Sequence, residues 1–316
     1  MWENIQFSAR IVLPSFILIF LGRMITLKKL LTPEQMDKIG KLTFTYLLST
    51  KIFLDIIQSS FDSFQGAGFA VYCMFATVAV FLASWILGAK LLKRKESVPS
   101  FVQSCFRCSF TVLGLSMVES FAGGEGVARA MPLLTLTVIV FNILASIVLT
   151  KPGENRTPKT MLLRTVKSIL KNPLIIAVEL GLVVILTGIE LPYLVAKPLE
   201  QLGDMAAPLS LLCIGSSLNG EKVRHAFKYA LAAACVKTWG AALVFVPLAV
   251  LLGYRGFELT VIALFLTAAN PSANYVMALA TDNDSELAAS GLVLSTVMCI
   301  FTSMGAMTIL RAFGLI

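Results

Sequence analysis

Long runs of Leu, Ile, Val, Phe and Ala alternate along this chain with short connections rich in charge, Gly and Pro. The runs fall near 5–23, 42–60, 67–89, 100–121, 130–149, 173–189, 205–219, 229–252, 259–280 and 286–310. Most approach the roughly 20 apolar residues a helix needs to cross a bilayer. None alternates apolar and polar positions as a barrel strand would, and in lipid only helices and closed barrels satisfy their own backbone. The pattern predicts an all-α integral membrane protein of ten transmembrane helices.

Composition narrows the function classes. Of 316 residues, 57% are hydrophobic and 14% charged, against about 25% charged in soluble domains. Ten crossings leave no length for a separate soluble domain. The net charge of +8 sits in short loops, and the sole histidine, His225, lies in one of them. Histidine-based catalysis and an all-histidine metal site are unsupported, so no enzyme activity, cofactor, metal or nucleic-acid partner is expected. The six cysteines lie in or beside apolar runs, where thiols act as small hydrophobes. Cys105-Phe-Arg-Cys108 is a C-x-x-C without a second pair. The first apolar run lacks a basic leader and a small-residue cleavage site, so it is expected to be a retained helix.

Eighteen of the 26 Lys and Arg residues cluster in alternate loops, at 23–41, 90–95, 151–171 and 222–228. The positive-inside rule places those loops in the cytoplasm and both termini outside. The longest of them, 151–172, separates residues 1–150 from 173–316, with five helices on each side. Two related halves with an odd number of spans must be inverted, the plan of many secondary transporters. Residues 114–128 align without gaps on 274–288, pairing Met117 with Met277 and Ala128 with Ala288 around a polar turn.

Candidate chemistry sits in helices 4 and 9. Helix 9 carries Thr267-Ala-Ala-Asn270-Pro271-Ser272-Ala-Asn274 near its middle. Pro271 cannot donate to the Thr267 carbonyl, so the helix should kink or break. Two readings are open: a kink satisfied by Ser and Thr side chains, or a break lining a cavity. Helix 4 holds a matching polar interruption, Arg107-Cys-Ser109-Phe110-Thr111-Val-Leu-Gly114, without proline. If both spans unwind and cross, four half-helix ends converge at the midplane. Ionisable residues within the spans are Lys51, Asp55, Arg107, Glu119, Glu179 and Lys237, each costly in lipid. Arg107 can hold a carboxylate or reach for the inner surface. Lys51 and Asp55, four apart, can pair with each other or exchange a proton. Asp55, Glu119 and Lys237 are the candidates for ion coupling. Asp282, Asp284 and Glu286 read as a solvated turn and N-cap of helix 10.

Several segments together carry a resemblance: Pro14-Ser-Phe-Ile-Leu-Ile-Phe-Leu-Gly22, Leu31-Thr-Pro-Glu-Gln, Phe106-Arg107 with Gly114-Leu, Ala207-Pro208 through Gly215-Ser-Ser-Leu218, and Ala268-Ala-Asn-Pro271 with Asp284. Their order and spacing over nearly the whole chain resemble the auxin efflux carrier family, whose bacterial members include malate and malonate permeases. The resemblance implies two inverted five-helix repeats with helices 4 and 9 broken and crossed, the bile-acid and sodium-proton antiporter type of fold. It implies a scaffold of helices 1, 2, 6 and 7, often dimeric, beside a mobile unit, with Lys51 facing the crossing. The family often has asparagine where this chain has Ser109, and proline where it has Ser49 and Ser116.

The expected function is secondary active, elevator-type transport of small organic anions across the bacterial cytoplasmic membrane, among its lipids. Mono- or dicarboxylates such as malate or malonate, or auxin-like aromatic acids, are the expected cargo. The expected substrate contacts are Lys51, Arg107, Ser109, Phe110, Thr111, Asn270, Pro271, Ser272 and Asn274. The chain has no G-x-x-x-x-G-K-[ST] motif, so a proton or sodium gradient, exchange or membrane potential would supply the drive. The alternative is a membrane ligand sensor using the same pocket, against which the loops are too short for an effector domain.

Overall fold

The computed structural model describes residues 17–58, 68–110, 114–149, 173–217 and 220–316. The expectations for the first sixteen residues, for Thr111, for the 151–172 connection and for the side chains of Glu119 and His225 lie outside the described residues.

Among the described residues every regular element is helical. Helix α1 spans Ile17–Leu27. Helix α2 (Pro33–Leu42) runs through a π turn, Thr43–Leu48, into α3 (Ser49–Ile57). Then come α4 (Gly68–Leu91), α5 (Val98–Phe106), α6 (Leu115–Leu149) and α7 (Pro173–Thr187). The second part continues with α8 (Tyr193–Asp204), α9 (Ala206–Ser217) and α10 (Gly220–Cys235). A second π turn, Val236–Gly240, joins α10 to α11 (Ala241–Leu251). The chain closes with α12 (Gly256–Thr267), α13 (Ala273–Ala280) and α14 (Ser285–Ala312).

Among the described residues four stretches are long and apolar enough to cross a membrane: Gly68–Leu91, Arg129–Leu149, Ala226–Leu251 and Ser285–Ala312. Ile17–Leu27, Pro173–Thr187 and Gly256–Thr267 are shorter apolar helices. Their outer faces present Phe20, Val71, Phe75, Leu186, Leu243 and Phe301. So much exposed apolar surface is stable only against lipid or another protein.

Several predicted helices have different limits, each for a local reason. Helix 2 begins at Pro33, well before the apolar run, because Thr32 and Gln35 form a reciprocal capping box. Its first turns are amphipathic and escape a search for continuous apolarity. Helix 7 is preceded by α8 and divides at Met205. Helix 4 is interrupted after Phe106, and helix 9 after Thr267. Past the first interruption, α6 turns sharply at Gly123, whose φ of 65° suits glycine. The corresponding turn before α14 has Asp282 at φ 52°. Thr267 follows Phe106 by 161 positions and Asp282 follows Gly123 by 159, against the 160-position offset of the two aligned segments.

Packing falls into two sets of neighbours. Helix α3 lies on α7 and α8, and α9 lies on α2. Helix α1 meets α9 backbone to backbone: a Cβ on Gly215 would overlap the Ile19 carbonyl, and one on Gly22 the Leu212 carbonyl. Small residues permit such close approach where lipid gives no hydrophobic drive for association. In the other set, α4 packs on α5 and α6, α10 on α14, and α12 on α11 and α14. Helix α13 and the inner face of α6 touch both sets.

Candidate functional site

The two interruptions meet. Arg107 ends α5 in an extended conformation (φ −76°, ψ 146°), and Ala268 ends α12 in nearly the same one (φ −61°, ψ 144°). The Ser109 N–H donates to the Ala269 carbonyl at 2.7 Å, joining the two extended segments directly. The Asn270 N–H donates to Ser295 Oγ on α14 at 3.1 Å. Backbone groups released from one helix are thus taken up by another, which is what allows an interruption inside a membrane. Pro271 explains the second break locally. The first has no proline and depends on the bond to Ala269.

A cavity of about 430 Å³ opens beside this crossing, in the range of small-ligand sites. Its walls are Arg107, Cys108 and Ser109 from one interruption and Asn270, Pro271 and Ser272 from the other. Helix α3 adds Lys51 and Asp55, α6 adds Thr137, Phe141 and Asn142, and α8 and α9 add Gly203, Asp204 and Ser210. Ser272 is the N-cap of α13, so a partially positive helix end faces the cavity.

The charges are unevenly paired. Lys51 Nζ lies 3.1 Å from Asp55 and 3.7 Å from Asp204, so the i,i+4 pair expected from sequence forms and gains a third member. Arg107 has no acidic partner among the described residues. Its Nη1 donates to Gln103 Oε1 at 3.4 Å and to Met277 Sδ at 2.7 Å, and the guanidinium lies 5.9 Å from the Phe141 ring centre. Arg107 is buried, and its Nε has no hydrogen-bond partner among the described residues. The same holds for Asn142 Oδ1 and Asn270 Oδ1. A buried donor without a partner typically costs 1–3 kcal/mol and more when charged.

Of the residues expected at the site, Lys51, Asp55, Arg107, Ser109, Asn270, Pro271 and Ser272 line this cavity. Phe110 lies behind it, edge-on to Phe265 at 5.5 Å. Asn274 turns away and donates from Nδ2 to the Gln103 carbonyl at 3.4 Å, tying α13 to α5. Lys237 lies outside the cavity lining, at the end of α12, with Nζ 3.4 Å from the Phe265 carbonyl and 3.3 Å from that of Leu266. Sequence reasoning missed Thr137, Phe141 and Asn142. The available signal was Asn142, the one amide side chain in the run 130–149, which is buried.

Among the described residues no group of three or more His, Cys, Asp or Glu is placed to hold a metal. Asp284 caps α14, accepting from the Leu287 N–H at 2.9 Å, and binds Ser97 Oγ at 2.6 Å. The acidic turn is therefore occupied with local structure. A family model described as Membrane transport protein, that of the auxin efflux carriers, matches residues 8–307. Comparison with curated proteins gives no match.

Proposed function

We propose, since this chain belongs to the auxin efflux carrier family, that it is a secondary carrier of small organic anions whose resting place is the crossing of the two interrupted helices. Members of the family are membrane transporters, and the chain is a multi-pass membrane protein. The observation that carries the anion reading is Arg107, a buried guanidinium beside a cavity, without an acidic partner among the described residues and with its Nε unpaired. A carboxylate placed there receives charge-assisted hydrogen bonds from Arg107 and the positive end of α13. Asn142 and Asn270 supply further polar contacts.

The proposed architecture is two inverted five-helix repeats, 1–150 and 173–316, joined by a cytoplasmic connection. In its favour are the matched offset of the interruptions and turns and the alternate basic loops. The helices that pack with α3 and α9 would form a stationary scaffold. The set containing α5, α6 and α10 to α14 would carry the crossing across the membrane, with Lys51 presented from the scaffold side. Bringing a net negative charge into an inside-negative cell opposes about 2.3 kcal/mol per charge at 100 mV. Import would therefore require a co-transported cation, and export or exchange would not.

Counterflow in proteoliposomes tests this reading. Vesicles are preloaded with malate, malonate, citrate, lactate or indole acetate, and entry of the labelled compound is followed. Transient accumulation with one or more of these anions is expected. Folded protein that binds one of them without exchanging it would overturn the carrier reading in favour of a sensor.

A further inference from the structure

Lys237 is fully enclosed, only 2% exposed, in the middle of a span. The π turn Val236–Gly240 carries it, and such single wide turns inside helices recur at functional positions. Its ammonium reaches the carbonyl oxygens of Phe265 and Leu266 at 3.4 and 3.3 Å, and lies 5.6 Å from the Phe265 ring centre. Among the described residues the ionisable groups around it are the thiols of Cys108, Cys73, Cys105 and Cys299, with no carboxylate among them. A lysine in such a place is expensive, and the lining of the cavity does not include it.

The two carbonyls explain its position. Phe265 and Leu266 belong to the last turn of α12, which ends at Thr267 where the chain enters the crossing. The last four carbonyls of a helix have no intrahelical donors, and together they represent about half a negative charge. An unwound helix end in a membrane is where transporters that use sodium place the ion, on such carbonyls. Here a side chain already supplies a cation at that position. The other half-helix C-terminus at the crossing, that of α5, has Arg107 as its cap residue. The Arg107 guanidinium turns to Gln103, Met277 and the Phe141 ring, so Lys237 is, among the described residues, the basic side chain that contacts the carbonyls of an interrupted end.

We propose that the Lys237 ammonium is a resident cation that neutralises the interrupted end of α12 in place of a bound metal cation, so that the crossing is assembled without sodium. The proposal deepens the carrier reading and rests on it for its meaning in transport. The charge travels with the crossing, and the negative end of α12 is already neutralised when the substrate anion meets Arg107 and the positive end of α13.

Thermal unfolding of the purified protein in detergent tests it without requiring turnover. Wild type, Lys237→Arg, Lys237→Gln and Lys237→Ala are compared in sodium, lithium, potassium and choline chloride at equal ionic strength. Wild type should melt at one temperature in all four salts. Lys237→Gln keeps hydrogen-bond donors but loses the charge, and should melt about 5 °C lower in choline, while Lys237→Arg should remain near wild type. A saturable sodium-specific rise in the wild-type melting temperature would overturn the proposal, even if no variant folds. So would a Lys237→Gln protein as stable as wild type. Absence of counterflow with every anion would contradict the carrier reading alone, because the melting comparison stands apart from transport.

Discussion

Replacing Arg107 should separate recognition from stability, with opposite signs. The guanidinium is 5% exposed and contacts Gln103, Met277 and the Phe141 ring, none of them charged. A hydrogen bond to a charged group contributes about 1.5–3 kcal/mol, and about 1.4 kcal/mol is a tenfold change in affinity. Lysine retains the charge but loses the planar fork. Arg107→Lys should weaken carboxylate binding about tenfold. Arg107→Met removes the charge altogether, and should weaken binding about a hundredfold or more. Folding should respond differently, because a buried cation without an acidic partner carries an uncompensated desolvation cost that methionine does not. The melting temperature of Arg107→Met should stay level or rise. The assay is equilibrium binding of whichever labelled anion exchanges in counterflow, beside thermal unfolding of the same preparation. Wild-type affinity in Arg107→Met would refute the assignment. A loss of affinity with an equal collapse in stability would show that Arg107 is a structural residue.

Three other perturbations separate the crossing from its supports. Asn142→Leu removes an amide whose Oδ1 is buried at the cavity without a partner among the described residues; affinity should fall about tenfold with melting unchanged. Asn270→Ala and Asn274→Ala should differ, since only the first lines the cavity. Asn270→Ala should lower uptake at least about tenfold, whereas Asn274→Ala, which loses the bond to Gln103, should chiefly lower the melting temperature by about 3 °C. Asp284→Ala removes the N-cap of α14 and should cost about 1 kcal/mol of stability without altering substrate affinity, as checked by paired unfolding and binding curves.

How much could be read from the sequence follows the range of the interactions involved. Continuous apolar runs locate the four long apolar helices among the described residues to within a few positions, because lipid imposes the same demand on every residue of a span. The interruption in helix 9 is legible because Pro271 lacks a donor, a property of one residue. Its mate after Phe106 is held open by a bond from Ser109 to Ala269, 160 positions away, and no local pattern encodes that. The amphipathic start at Pro33 was available in Thr32-Pro-Glu-Gln35, a capping box hidden by its low apolarity. Lys51 and Asp55 could be paired by helical spacing, but their third partner, Asp204, comes from a distant helix. Asn274 shows the converse limit: a polar residue beside a break faces the partner helix instead of the cavity.

The most direct measurement of the central claim is side-specific labelling of Ser272→Cys, which places a thiol at the N-cap of α13 on the cavity wall. In proteoliposomes, a membrane-impermeant thiol reagent is applied with and without saturating transported anion. Cys108 lines the cavity and Cys235 is partly exposed, so Ser272→Cys is made in a Cys108→Ser, Cys235→Ser background, and that background without Ser272→Cys is the control; Cys73, Cys105, Cys213 and Cys299 are buried. The account predicts labelling well above that control from either face of the membrane, suppressed by the same anions that exchange in counterflow. Labelling unaffected by a transported anion would contradict it, because the anion would then rest somewhere other than the crossing.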